Sequence, residues 1–182
     1  MHITHGFHTV EDRGNIDYVK RSAPFKCARK NAWLSHGFYF WEKDLQRAKD
    51  WGEDVYGGKY LIGRAELTLP NMLDLVGDRE HQEMIQELSH ILQEDHPSLR
   101  GMQEPPLAEV ITLLRKLEAS THPGIFPYDS VKSQDNPSPR RRRYVEGRRE
   151  TTDLHPRIQI CLFEKNARFL QSFRIVYPEP SV

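Results

Sequence analysis

Gly37-Phe38-Tyr39-Phe40-Trp41-Glu42 is an aromatic run that opens on a glycine and stops just short of Asp44. Aromatic side chains suit a pleated, half-buried surface, so the pattern predicts a strand from Trp33 to Trp41. Asp44 is the expected N-cap of a helix reaching about Trp51, with Leu45, Ala48 and Trp51 or Gly52 recurring on one face at the helical period. Upstream, Thr4-His5-Gly6-Phe7 closes a first strand over residues 2–7.

Outward from this pair, Ile16 to Arg21 suggests a helical turn or more, and Lys59 to Leu69 reads as a strand ended by Pro70. Two helices follow, Asp78 to about Asp95 and Pro106 to about Ser120, whose apolar stripes (Ile85, Leu88, Leu92; Val110, Ile111, Leu114) are ordinary core faces. From His122 to Pro156 the chain is rich in Pro, Ser, Asp and Arg, and an Arg/Pro-rich loop over 132–150 is expected to be mobile, above all Ser133 to Pro139. Ile158 to Phe163 is a short buried strand, and Phe169 to Tyr177 supplies a last one. Strands at both ends with helices in the middle predict an α+β fold. The strand order is not legible from this pattern.

The 182 residues form one expected domain, 1–182, large enough to bury a core. Twenty-six basic residues balance twenty-six acidic ones, which argues against bulk nucleic-acid binding. Cys27 and Cys161 are too few for a disulfide framework and lack zinc-site spacing, so a reducing, cytoplasmic setting is the simpler one. No stretch has the length of a membrane span, and the N-terminus lacks the pattern of a signal peptide. His2, His5 and His8 alternate along a strand, which sends His5 to one face and the other two to the opposite one, so no metal is expected.

Six blocks in order carry a resemblance. They are Thr4-His5-Gly6; Trp33-Leu34 with Gly37 to Glu42 and Arg47-Ala48; Gly63-Arg64-Ala65 leading to Met72-Leu73-Asp74-Leu75; Tyr128-Asp129-Ser130-Val131; Val145-Glu146-Gly147; and Ile158-Gln159-Ile160-Cys161. Over His5 to about Arg174 the chain resembles bacterial ADP-ribosyltransferase-like domains, distantly related to the catalytic domains of poly(ADP-ribose) polymerases and diphtheria toxin. The resemblance implies a split pair of antiparallel sheets with NAD in the cleft between them. It implies that His5 contacts the adenosine-side ribose, that the main chain of Gly6 holds the nicotinamide carboxamide, and that the ring of Tyr39 lies on nicotinamide. The place of the family's second aromatic falls on Asp50, with Trp51 beside it as the substitute.

Two departures stand out. The family's glutamate at the start of the late strand is Gln159 here, which can hydrogen-bond and orient a ribose hydroxyl but carries no charge to stabilise an oxocarbenium-like transition state. Glu146 is the candidate for the missing carboxylate, with Glu42 and Glu164 in reserve. Phe7 stands where relatives carry Ser or Thr.

Arg140, Arg141, Arg142 and Arg143, followed by Tyr144 and by Arg148-Arg149, form either a solvated loop or an arm that grips the phosphates of an RNA or DNA acceptor, with Tyr144 stacking on a base. An acidic protein acceptor is equally compatible. The resemblance therefore implies a mono-ADP-ribosyltransferase that uses NAD to modify a protein or nucleic acid, in the setting of a bacterial toxin–antitoxin or phage-defence system with an antitoxin as partner. Its alternatives are an NAD glycohydrolase on the same fold and, from another class, a catalytically silent binding module.

Overall fold

The computed structural model describes residues 1–135, 141–143, 145–147 and 151–179. The chain runs β1 (His2–Glu11), α1 (Ile16–Ser22), β2 (Phe38–Glu42), α2 (Leu45–Tyr56), β3 (Tyr60–Leu69), β4 (Met72–Asp74), α3 (Arg79–Asp95), α4 (Leu107–Ser120), β5 (Ser130–Gln134), β6 (Arg141–Arg143), β7 (Thr151–Asp153), β8 (Ile158–Leu162) and β9 (Leu170–Tyr177). This is the α+β arrangement expected. Seven strands are hydrogen-bonded neighbours in one sheet, in the order β4-β5-β8-β2-β1-β3-β9, and β6 pairs with β7 in a separate hairpin. Among the described residues only β4 and β5 pair in parallel. Among the described residues no helix is long and apolar enough to cross a membrane.

Side-chain alternation sorts the sheet into two faces. Phe7, Trp41, Tyr60 and Ile62 pack against Ala48 of α2 on one face. Tyr39 and Cys161 continue that face two residues further along β2 and β8, where Leu73 and Val131 meet Ile85 and Leu92 of α3 and Val110, Ile111 and Leu114 of α4. Phe40, Ala65, Leu67, Ile160 and Leu162 face the other way, against Phe169 and Phe173. On that second face Val10 and Leu61 receive Val19 of α1. Three helices thus cover one face and α1 lies on the other.

The helix caps follow the sequence. Asp44 accepts from the Arg47 N–H at 2.9 Å and Asp78 from the His81 N–H at 3.2 Å, each satisfying a first-turn donor that the helix cannot. Gly57, at φ 59°, ends α2 in the left-handed conformation that favours glycine.

Three expectations are corrected. Trp33–His36 is not strand but a turn, with Ser35 at φ 76°; Gly37 makes an isolated antiparallel bridge to Cys27, and β2 starts only at Phe38. Within the loop expected over 132–150, Lys132, Ser133 and Gln134 belong to β5, where the Lys132 ammonium pairs with Asp74 at 2.8 Å, and Arg141–Arg143 form β6. Residues 136–140, 144 and 148–150, including Arg140, Tyr144, Arg148 and Arg149, lie outside the described residues. Finally, hydrogen bonding draws no boundary that would divide the seven strands into two sheets.

Candidate functional site

The ladder between β1 and β2 is short. It runs over Gly6↔Glu42 and Phe7↔Trp41 and is extended by the Lys43 N–H to His5 O bond, while β1 pairs with β3 along its whole length, from His2↔Leu69 to Glu11↔Tyr60. Beyond Trp41 a side chain takes over from the ladder. His8, buried, donates from Nδ1 to the Tyr39 carbonyl at 2.8 Å, and its Nε2 accepts the Phe25 N–H at 3.1 Å. A carbonyl only accepts and an amide only donates, so the ring is held in one neutral tautomer. Burial pushes its pKa down to about 4.

Gly6 serves the sheet. Lys43 N–H donates to His5 O at 3.1 Å and Asp12 N–H to Lys59 O at 2.9 Å, so odd residues of β1 bond toward β2 and even ones toward β3. In this alternation the amide and carbonyl of Gly6 face Ala65. A Cβ on Gly6 would come within 2.6 Å of Phe40 Cβ, so close packing requires this glycine. Phe7 is buried beneath α2, in one core cluster with Trp41, Ala48, Tyr60 and Ile62.

His5 and Phe7 share a face, their rings 5.6 Å apart and edge-on. That face also bears Trp41, Tyr39 and, across the β2–β8 ladder, Gln159 (partner of Trp41) and Cys161 (partner of Tyr39). Folding thus brings His5, Tyr39 and Gln159 onto one face of three adjacent strands. His5 lies opposite Lys43, four residues along β2 from Tyr39, an offset of about 13 Å.

Tyr39 and Gln159 are both locked. The Tyr39 hydroxyl donates to Ser35 O at 2.7 Å and accepts the Leu34 N–H at 2.9 Å, and burial holds its ionisation well above the usual tyrosine range. The positive-φ turn at Ser35 is fastened to α4 by Thr112 (Oγ1 to Ser35 Oγ, 2.8 Å) and by Arg115, which donates to His36 O at 3.0 Å and lies 4.2 Å over the Phe163 ring. Gln159 is buried, and its Oε1 accepts the Trp33 indole N–H at 2.8 Å. An indole N–H can only donate, so the amide orientation is fixed and its NH2 is the group turned away from Trp33. Cys161 beside it is a buried thiol pushed up to about 12 by desolvation.

Helix α2 covers the part of this face that carries Phe7 and Trp41. Trp51, half-exposed, leans on Trp41 at 6.3 Å and 57°. The Arg47 guanidinium lies 6.0 Å from the Trp41 ring and pairs with Asp50 at 2.8 Å. Hydrogen bonds from Gln46 and Arg47 hold Asp50 below the usual carboxylate range, with Arg157 adding to the effect. Gly52 lets α2 settle directly on the Tyr60 ring.

No family model, curated protein or solved structure matches this chain.

The carboxylate candidates fare differently. Glu42 lies on the opposite face, 2.8 Å from His2. Glu146 is exposed in the turn between β6 and β7, outside the seven-stranded sheet. Glu164 is exposed just past β8. Asp50, the chain neighbour of Trp51, is a carboxylate engaged within α2 by Gln46 at 2.9 Å and Arg47 at 2.8 Å. Trp33 as the partner of Gln159 was missed by sequence reasoning, since 126 residues separate them. Of the arginine arm, Arg141, Arg142 and Arg143 lie in β6, paired with β7.

Proposed function

We propose that the chain is a mono-ADP-ribosyltransferase that takes NAD as substrate and transfers ADP-ribose to a macromolecule. One observation carries this reading: His5, Tyr39 and Gln159 share a sheet face on adjacent strands, with Trp51 beside them. The sheet is read as the ADP-ribosyltransferase-like type, opened at the β1–β2 seam. Tyr39 lies against nicotinamide, which is cationic in NAD and gains about 0.5–2 kcal/mol from an aromatic face; Trp51 is the second aromatic. The NH2 of Gln159 holds a ribose hydroxyl, and His5 contacts the adenosine-side ribose. The charge stabiliser is Glu146 or Asp50, the latter held below the usual carboxylate range by Gln46 and Arg47. The arginine arm, Arg140–Arg143 with Tyr144, meets the acceptor, and a cytoplasmic toxin–antitoxin or phage-defence setting follows from the family resemblance.

The test is to incubate the protein with labelled NAD in buffer and with separate pools of protein, RNA and DNA. Nicotinamide release that depends on one pool, and is lost in Tyr39→Ala and Gln159→Ala, is expected. Release in buffer alone would mean a glycohydrolase, and none in any pool would sink the enzyme reading. The position of Glu42 on the wrong face and the amide at Gln159 favour one other reading, a silent module on the same scaffold. It would bind nucleic acid with steep salt dependence and leave NAD intact.

A further inference from the structure

Arg64 stands on β3 between Phe7 on one side and Arg174 of β9 on the other. Its Nη2 donates to Glu66 Oε1 at 2.8 Å, whereas its Nε is buried and has no hydrogen-bond partner among the described residues. A guanidinium fork is built to hold an oxyanion through two parallel N–H groups, and here one tine is unused. The surroundings are cationic. Arg174 is exposed beside it, and Lys43 acts electrostatically on His5 together with Arg64. Glu66 is the counter-charge on this face, half-exposed and so exchangeable, while Glu42 is held by His2 on the opposite face.

His5, whose Cα partner is Glu66, is kept below its ordinary pKa by burial and by Arg64. Near neutrality it is therefore a hydrogen-bonding group and not a further cation. In the register of the sheet Arg64 lies level with Phe7 and Trp41, between the levels of His5 and Tyr39. On the NAD reading these two residues serve the opposite ends of the dinucleotide, and the diphosphate is what joins them.

We propose that Arg64, seconded by Arg174, forms an anion subsite that takes the diphosphate of a dinucleotide held on this face. Two arginines on paired positions of neighbouring strands suit two linked phosphoryl groups better than a single carboxylate. The subsite rests on the NAD reading for its occupant; the unused Nε and the paired cations stand without it.

Titration calorimetry of the full chain with ADP-ribose, ADP, inorganic pyrophosphate and adenosine tests it. ADP-ribose and ADP should bind, and adenosine should bind about tenfold or more weakly. Arg64→Gln should weaken ADP-ribose by about tenfold or more and leave adenosine unchanged, with Arg64→Lys in between. Because Arg64→Gln disturbs a half-buried site, two exposed variants accompany it. Arg174→Gln should weaken ADP-ribose, and Glu66→Gln, which frees the guanidinium, should tighten it by about threefold. Unchanged ADP-ribose affinity in folded Arg64→Gln, or weaker binding in Glu66→Gln, overturns the subsite. Arg64-dependent binding of ADP-ribose without nicotinamide release from NAD would keep the subsite and remove the transferase. Pyrophosphate bound as well as ADP would assign the site to free diphosphate.

Discussion

The seam that places Tyr39 is held by His8, and this makes stability depend on pH in a calculable way. The folded ring has a pKa of about 4 against 6.5 for an unhindered histidine. Between those values the unfolded chain binds the extra proton, so the contribution is fully present above 6.5 and drains away as the pH falls toward 4. At about pH 5 the ratio (1 + 10^1.5)/(1 + 10^−1) is about 30, which is about 2 kcal/mol, a large share of a typical stability of ~5–15 kcal/mol. The physical cost is specific. Burial would strip the charged ring of water, and protonation would also turn a second N–H on the Phe25 amide and set a charge near Lys165, whose ammonium is fixed on Ser22 O at 2.6 Å and Ala23 O at 3.1 Å. His8→Gln retains an acceptor for Phe25 but cannot titrate. Urea melts of both proteins at about pH 7.5 and about pH 5 isolate the term, since all other titrating groups, His5 included, are common to both. The variant should start about 1–2 kcal/mol less stable and then lose about 2 kcal/mol less than the wild type on acidification. Equal losses in the two proteins would refute the reasoning.

Other consequences concern the pocket and its supports. Trp33→Phe leaves Gln159 Oε1 without its donor; it should cost about 1 kcal/mol in a urea melt and lower nicotinamide release by freeing the amide to flip, and release at the wild-type rate would show that the lock is irrelevant. Tyr39→Phe removes the hydroxyl that joins Leu34 N–H to Ser35 O and should cost about 1–3 kcal/mol while retaining the stacking ring, whereas Tyr39→Ala should lose turnover; equal turnover in the two variants would count against stacking. Gly52→Ala should lower Tm although alanine gains about 1 kcal/mol in helix propensity, because the new methyl runs into the Tyr60 ring; a raised Tm would mean α2 can lift without penalty. On the transferase reading, one of Glu146→Ala and Asp50→Ala should cut nicotinamide release, and release at the wild-type rate in both variants would remove both residues as charge stabilisers.

Local chemistry made much of the fold legible. Asp44 and Asp78 cap their helices because an aspartate in that place satisfies a first-turn N–H whatever surrounds it. The apolar stripes of α3 and α4 and the aromatic run of β2 announced their elements by period alone. Features that depend on partners far along the chain were hidden. Trp33 to His36 carries the residues of a strand, yet the Tyr39 hydroxyl and α4 hold it as a turn. Lys132–Gln134 reads as loop, and it is a strand because β4 and β8 flank it. Gly6 reads as a place for a ligand, while its neighbour across the seam, Phe40, explains it by packing.

The amino-acid sequence by itself determined that strands would enclose a helical middle, since alternation, period and capping act over a few residues. Only the tertiary structure decided who meets whom. It set Glu42 on one face and Gln159 on the other, coupled Trp33 to Gln159, and left the Arg64 Nε without a hydrogen-bond partner among the described residues. Those outcomes follow from strand register, which shifts every side chain to the opposite face when it slips by one residue and is fixed only when the whole sheet packs.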